Sequence, residues 1–189
     1  KDKSLDVSFK DDNSPLTLAD KASNNIICDE LNKLTPNIPL LSEEGKNIDI
    51  ISRKDWNMFW LIDPLDGTKE FINKNGEFTV NIALIENNTP VMGVVYAPVK
   101  KKLWYGLKNH GSFIINKNQE PIKISKEEPS GKIVKIVSSR SHANNKKLKK
   151  YLKQFEKFEI VSMGSSMKMC LVADGSAHYY PRFGPTMEW

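Results

Sequence analysis

The chain has 189 residues, 39% hydrophobic and 27% charged, enough apolar material to bury the core of one domain or a domain and a half. No stretch is long and apolar enough to span a membrane, and no secretory pattern opens the chain. Cys28 and Cys170 are too few and too far apart to suggest a disulfide framework, and neither makes a zinc pattern, so a reducing compartment is expected. The expected location is the cytoplasm, free or peripheral at the inner face of the membrane. The formal charge of +5 comes from lysine runs such as Lys100-Lys101-Lys102 and Lys146-Lys147 with Lys149-Lys150. No aromatic platform is interleaved with them, so they read as solvated faces and no nucleic-acid partner is expected. Arginine occurs only at Arg53, Arg140 and Arg182. In so lysine-rich a chain, those positions are candidates for a bidentate fork.

Residues up to Asn13 read as a short strand and a polar loop. Thr17-Leu-Ala-Asp20 predicts a helix start, with Thr17 as cap and Asp20 at the third position. Ala22, Ile26, Ile27, Leu31 and Leu34 follow at helical spacing as one apolar face. Pro36 and Pro39 end that helix, and Leu40-Leu41-Ser42-Glu43-Glu44-Gly45 reads as a short strand delivering acids to a loop. Met58 to Ile62 is almost wholly apolar and suits a buried strand. Pro64 fixes one backbone angle and Gly67 permits a left-handed one, so Asp63 to Gly67 is expected to be a rigid corner. Two hairpins follow, Phe78–Ile85 with Val91–Tyr96 and Lys102–Leu107 with Ser112–Ile115. Lys126-Glu-Glu-Pro-Ser-Gly131 marks a boundary between an α+β unit over residues 1–127 and the start of an α/β unit over 128–189. In the second unit, Ile133–Val137 reads as a strand, His142–Phe155 as an amphipathic helix, and Ser165–Asp174 as a helix capped by serine and closed by Gly175. The expected fold is a layered α/β one.

The corner carries the chemistry. Asp63 and Asp66, three positions apart on a rigid turn, can point at one spot, where two uncompensated carboxylates would repel each other unless a cation sat between them. Oxygen-only ligands favour a hard cation such as Mg2+, which keeps waters and meets substrate phosphates. The same acids also suit side-chain-to-backbone bonds of a tight turn, and residue types alone leave both readings open.

Glu43-Glu44 followed by Asp63-Pro-Leu-Asp66-Gly-Thr68 resembles the signature of the inositol monophosphatase-like, lithium-sensitive, Mg2+-dependent phosphatases. The blocks Asp63–Phe71, Asn75–Leu84, Gly93–Pro98, Ser139–His142, Gly164–Lys168 and Tyr180–Pro185 are similar to those of the bacterial 3′(2′),5′-bisphosphate nucleotidases of that family, in order along the whole chain. The resemblance implies an α-β-α-β-α sandwich that uses two or three Mg2+ ions. It implies that Glu43, Asp63, Asp66 and the Leu65 carbonyl bind metal, and that Glu43, Thr68 and Asp20 hold and polarise the attacking water. It further implies that the Gly67 and Thr68 amides cradle the scissile phosphate, and that His142, Ser165, Lys168 and Arg182 hold the nucleotide and its second phosphate. Taken singly, Asp20 and Ser165 also read as helix caps, Lys168 as a surface lysine and His142 as a turn residue. Arg140 reads as a structural partner and not a direct ligand.

The implied reaction is release of the 3′-phosphate of adenosine 3′,5′-bisphosphate, which clears a by-product of sulfate assimilation. The alternatives are an inositol monophosphate or sugar-phosphate phosphatase of the same family and, in a different class, a non-catalytic module binding nucleotide or metal. The resemblance also implies a helix ahead of Lys1 and a motif beginning Trp-Asp, of which Trp189 is the first residue. The chain is therefore expected to be a truncated stretch, weak or inactive by itself.

Overall fold

The computed structural model describes residues 7–9, 15–45, 48–117, 119–125, 133–140 and 146–184. Strands β1 (Val7–Phe9) and β2 (Pro15–Thr17) pair antiparallel and lead into helix α1 (Leu18–Leu34). The expected cap forms as a reciprocal box. The Thr17 hydroxyl accepts from Ala19 N at 3.2 Å, and the Asp20 carboxylate accepts from Thr17 N at 2.8 Å. The buried face of α1 differs from the one expected. Asp20 and Leu31 are buried, with Ile27 and Cys28 partly so, whereas Ala22, Ile26 and Leu34 are exposed. The helix docks on strand β4 (Met58–Asp66), and the turn carrying Asp20 must face inward to reach Thr68, which rotates Ile26 outward.

A seven-stranded sheet forms the body of the molecule, with its strands in chain order: β3 (Leu40–Ser42), β4, β5 (Thr79–Glu86), β6 (Thr89–Ala97), β7 (Lys102–Leu107), β8 (Gly111–Asn116) and β9 (Ile122–Lys123). Only the β3–β4 pair is parallel; every later neighbour is antiparallel. Both expected hairpins are present. The first turns on Asn87 and Asn88, at φ 47° and 59°, the left-handed pair whose twist matches antiparallel strands. Short elements without a strong pattern, β2, β9 and helix α2 (Ile50–Arg53), escaped the sequence reading.

The two faces of the sheet carry different cores. On one, Leu31 of α1 packs with Trp60 and Ile62, joined by Ile82, Leu84 and Met92. On the other, Ala97, Trp104 and Ile114 pack against Met167 and Cys170 of helix α5 (Met167–Ala173). A smaller parallel pair, β10 (Val134–Ser138) and β11 (Phe158–Ser162), is joined by helix α4 (Lys146–Leu152), whose Leu148 and Leu152 bury against Ile136. β11 was not anticipated, and residues 142–145 of the expected helix lie outside the described residues. No helix among the described residues is long and apolar enough to cross a membrane.

Candidate active site

The acidic corner is a strand end and not the compact turn expected. β4 runs on through Pro64 to Asp66, and its register with β5 slips between Asp63 and Asp66. Proline lacks the donor that a ladder bond needs, so the strand bulges there and re-aims its side chains. Gly67, at φ +94°, then turns the chain into helix α3 (Thr68–Ile72). The parallel neighbour β3 ends at the same level, where Glu43 N donates to Ile62 O at 3.0 Å, which sets Glu43 beside Asp63.

Asp63 is buried, and its oxygen accepts from Leu65 N at 3.2 Å. Burial, with the negative Asp66 and Glu43 alongside, pushes its carboxyl up to about 8. Burial also raises Asp66, opposed by the Ser166 backbone donor, the Lys168 ammonium and the Asn81 side chain. Burial raises both carboxyls, and repulsion from its acidic neighbours adds to the effect at Asp63. Among the described residues no three acidic, histidine or cysteine side chains already close around an ion. A set of oxygen donors that leaves positions open suits Mg2+, which commonly takes one or two carboxylates and completes its shell with water and phosphate oxygens. The donor set fits a hard divalent cation.

Asp20 joins the corner from α1. It is 1% exposed, and its two oxygens divide the work: Oδ2 accepts the cap, while Oδ1 accepts from Thr68 Oγ1 at 3.2 Å. Capping and contact with Thr68 therefore coexist in one carboxylate. Ser23 Oγ, one turn further along α1, donates to Pro64 O at 2.9 Å and holds the bulged strand to the helix.

The second group of expected residues approaches from α5. Ser165 adopts φ 49°, left-handed for a serine, and stands before the helix rather than in its first turn. Its Oγ still accepts from Met167 N at 3.3 Å, and Lys168 Nζ donates to its carbonyl at 2.5 Å. The Tyr180 ring lies 5.7 Å from Lys168 Nζ, and its hydroxyl accepts from Arg182 at 3.4 Å, so one tyrosine touches both cations. Ser165 also adjoins Gly67: a Cβ on that glycine would lie 3.2 Å from Ser165 Cβ. His142 lies outside the described residues.

Two residues at this junction were missed from sequence. Ser166 N donates to the Asp66 carboxylate, while its hydroxyl bonds Asn81 at 2.9 Å and Thr79 at 2.8 Å. Glu77 is 6% exposed and takes the Arg140 fork at 2.8 and 2.5 Å together with Gly164 N at 2.8 Å. Arg140 thus spends its fork on a carboxylate, in keeping with a structural role. Neither Ser166 nor Glu77 stands out locally, because their partners are 63 to 100 residues away in the chain.

The chain matches known proteins along its whole length. The family model described as "Inositol monophosphatase family" matches residues 1–189. The chain is 47% identical over 190 residues to the 3′(2′),5′-bisphosphate nucleotidase CysQ of Escherichia coli K12, covering 99% of this chain and 74% of the relative. It is 36% identical over 188 residues to the protein of the same name from Haemophilus influenzae, covering 70% of that relative. The crystal structure of CysQ from Bacteroides thetaiotaomicron superposes with a TM-score of 0.81 at 42% identity, over 95% of this chain and 71% of that one. A staphylococcal inositol monophosphatase, at 21% identity and a TM-score of 0.76, shares the fold. With a family match along its full length and a layered α/β fold common to these structures, the chain belongs to the inositol monophosphatase family.

Proposed function

We infer that the protein is a Mg2+-dependent phosphatase that removes the 3′-phosphate of adenosine 3′,5′-bisphosphate, giving AMP and inorganic phosphate. The observation that carries this reading is the contact between the acidic corner and α5. Asp66 accepts from Ser166 N, so the carboxylates and Lys168 line one junction, as cleavage of one phosphate while a second is held would require. The high identity to bisphosphate nucleotidases supports the same substrate class. In this reading residues 1–127 form the unit that cleaves and 128–189 begin the unit that selects.

Glu43, Asp63, Asp66 and the Leu65 carbonyl would hold the divalent cations, which when bound neutralise phosphate charge and lower the pKa of a coordinated water. Thr68 donates its proton to Asp20, which leaves its oxygen lone pairs available to accept from an attacking water. The proton lost as water attacks phosphorus would pass towards Thr68 and Asp20, while the P–O3′ bond opens on the opposite side and O3′ takes a proton from a solvent water to become the 3′-hydroxyl of AMP. The Gly67 and Thr68 amides at the start of α3 face the scissile phosphate. Lys168, Ser165 and Arg182 hold the nucleotide and the phosphate that is kept, and His142 contacts the nucleotide.

Phosphate release by the full-length enzyme, compared across adenosine 3′,5′-bisphosphate, inositol monophosphate and fructose bisphosphate, tests the assignment. Preference for the nucleotide is expected. Equal or better turnover of inositol phosphate would leave a general sugar-phosphate phosphatase.

A further inference from the structure

We propose that Glu77 is a positioning residue that sets the distance between the acidic corner and Lys168, and with it the preference for a substrate bearing two phosphates. The proposal rests on the function inferred above. Glu77 precedes β5, the central partner of β4, so it moves with the corner. Its carboxylate receives three donors from two remote segments: the Arg140 fork after β10, and the amide of Gly164 between β11 and α5. Two residues beyond Gly164, Ser166 N reaches Asp66, and Lys168 Nζ returns to Ser165 O. Glu77 therefore pins one end of a three-residue turn whose other end touches a candidate metal ligand and whose carbonyl orients the candidate phosphate-binding lysine.

The turn has no room to drift inward. A Cβ on Gly164 would lie 2.5 Å from Glu70 Cγ and 2.9 Å from Glu77 O. Packing alone does not call for a carboxylate at position 77. A buried charge is a poor source of net stability, whereas three fixed acceptor directions define a geometry that an apolar side chain could not. The chain uses lysine almost everywhere, yet keeps arginine where its fork meets this carboxylate in two places.

The test uses Glu77→Gln, which keeps size and removes the charge, with Arg140→Gln as a second route because that side chain is half exposed. Two readouts are needed. Amide hydrogen exchange at Ser166 is expected to quicken about tenfold in both variants while β5 and β6 amides keep their protection. The ratio of kcat/KM for adenosine 3′,5′-bisphosphate over adenosine 3′-monophosphate is expected to fall about tenfold, chiefly through KM. Unchanged Ser166 exchange, or an equal loss on both substrates, would overturn the proposal and leave Glu77 a structural residue. If Glu77→Gln fails to fold, the same two readouts on Arg140→Gln decide. If the full-length enzyme does not cleave the bisphosphate, the functional reading falls, while Ser166 exchange still decides whether Glu77 holds the turn.

Discussion

Replacing Asp20 by asparagine separates its two tasks. The carboxylate accepts from Thr17 N at 2.8 Å and Thr17 Oγ1 at 2.5 Å on one oxygen, and from Thr68 Oγ1 at 3.2 Å on the other. An amide has one acceptor oxygen, so Asp20→Asn cannot serve both sides. If the oxygen keeps the cap, the NH2 faces Thr68, whose hydroxyl must turn round and accept. The Thr68 hydroxyl proton then points away from residue 20, and the amide that faces it cannot take up a proton. Partial loss of a cap costs about 1 kcal/mol, and in a chain of this size that lowers Tm by about 2–4 °C. Loss of the proton path should cut kcat about 10²- to 10⁴-fold. Thermal melts and steady-state phosphate release measure the two effects separately. Thr68→Val should reproduce the kinetic loss while lowering Tm as well, because Asp20 Oδ1 loses its partner, and the double variant should be little worse in turnover than either single one. Thr17→Ala should lower Tm comparably with far less effect on turnover. Asp20→Asn retaining kcat within about threefold would refute the reasoning, since every proposed proton route passes through that carboxylate.

Three further outcomes follow. Gly164→Ala places a methyl group against Glu70 Cγ and the Glu77 carbonyl, neither of them the free end of a side chain. Overpacking of that kind costs about 1–3 kcal/mol, and urea unfolding should show it. Asp174→Ala strips the partner from Trp104 Nε1 at 2.9 Å and from Lys102 at 3.5 Å, which tie the far end of α5 to β7. The denaturation midpoint should fall by the equivalent of about 1–3 kcal/mol, as for an indole donor left unpaired. Asp63 sets a pH dependence. Its folded-state carboxyl is raised to about 8, above the ordinary value of 3.8, so between those limits the metal-free folded state binds more protons than the unfolded one. Stability of the metal-free protein should therefore fall as pH rises through that window. Mg2+ binding near neutral pH should release protons, which calorimetry in buffers of different ionisation enthalpy detects. Metal binding with no proton release would contradict the raised carboxyl.

Much of the site was legible because its residues sit close together in the chain or carry strong local signals. Thr17 and Asp20 form a capping box at fixed spacing, and Asp63 to Thr68 is a single segment. Glu43 follows a short apolar strand whose end the sheet aligns with Asp63. What escaped depends on distant partners. Nothing within a few residues of Glu77, Ser166 or Asp174 hints at Arg140, Asp66 or Trp104. The same limit explains the errors in fold. Periodicity grouped Ile26 and Leu34 with Leu31, but the rotation of α1 is decided by where Asp20 must point. Proline suggested that the strand stops at Ile62, whereas pairing with β5 carries it through a bulge to Asp66. Ser165 reads as a helix cap, yet its left-handed backbone places it in the turn that meets Gly67.

The most direct test of the central claim is Mg2+-dependent phosphate release from adenosine 3′,5′-bisphosphate by the full-length enzyme and by its Asp66→Asn variant. The asparagine can still accept from Ser166 N, so the fold should persist by circular dichroism. Removing one anionic oxygen from the proposed cation site should lower turnover by roughly 100-fold or more and raise the Mg2+ concentration needed for half-maximal rate. Wild-type turnover by Asp66→Asn, or activity that does not depend on a divalent cation, would contradict the account.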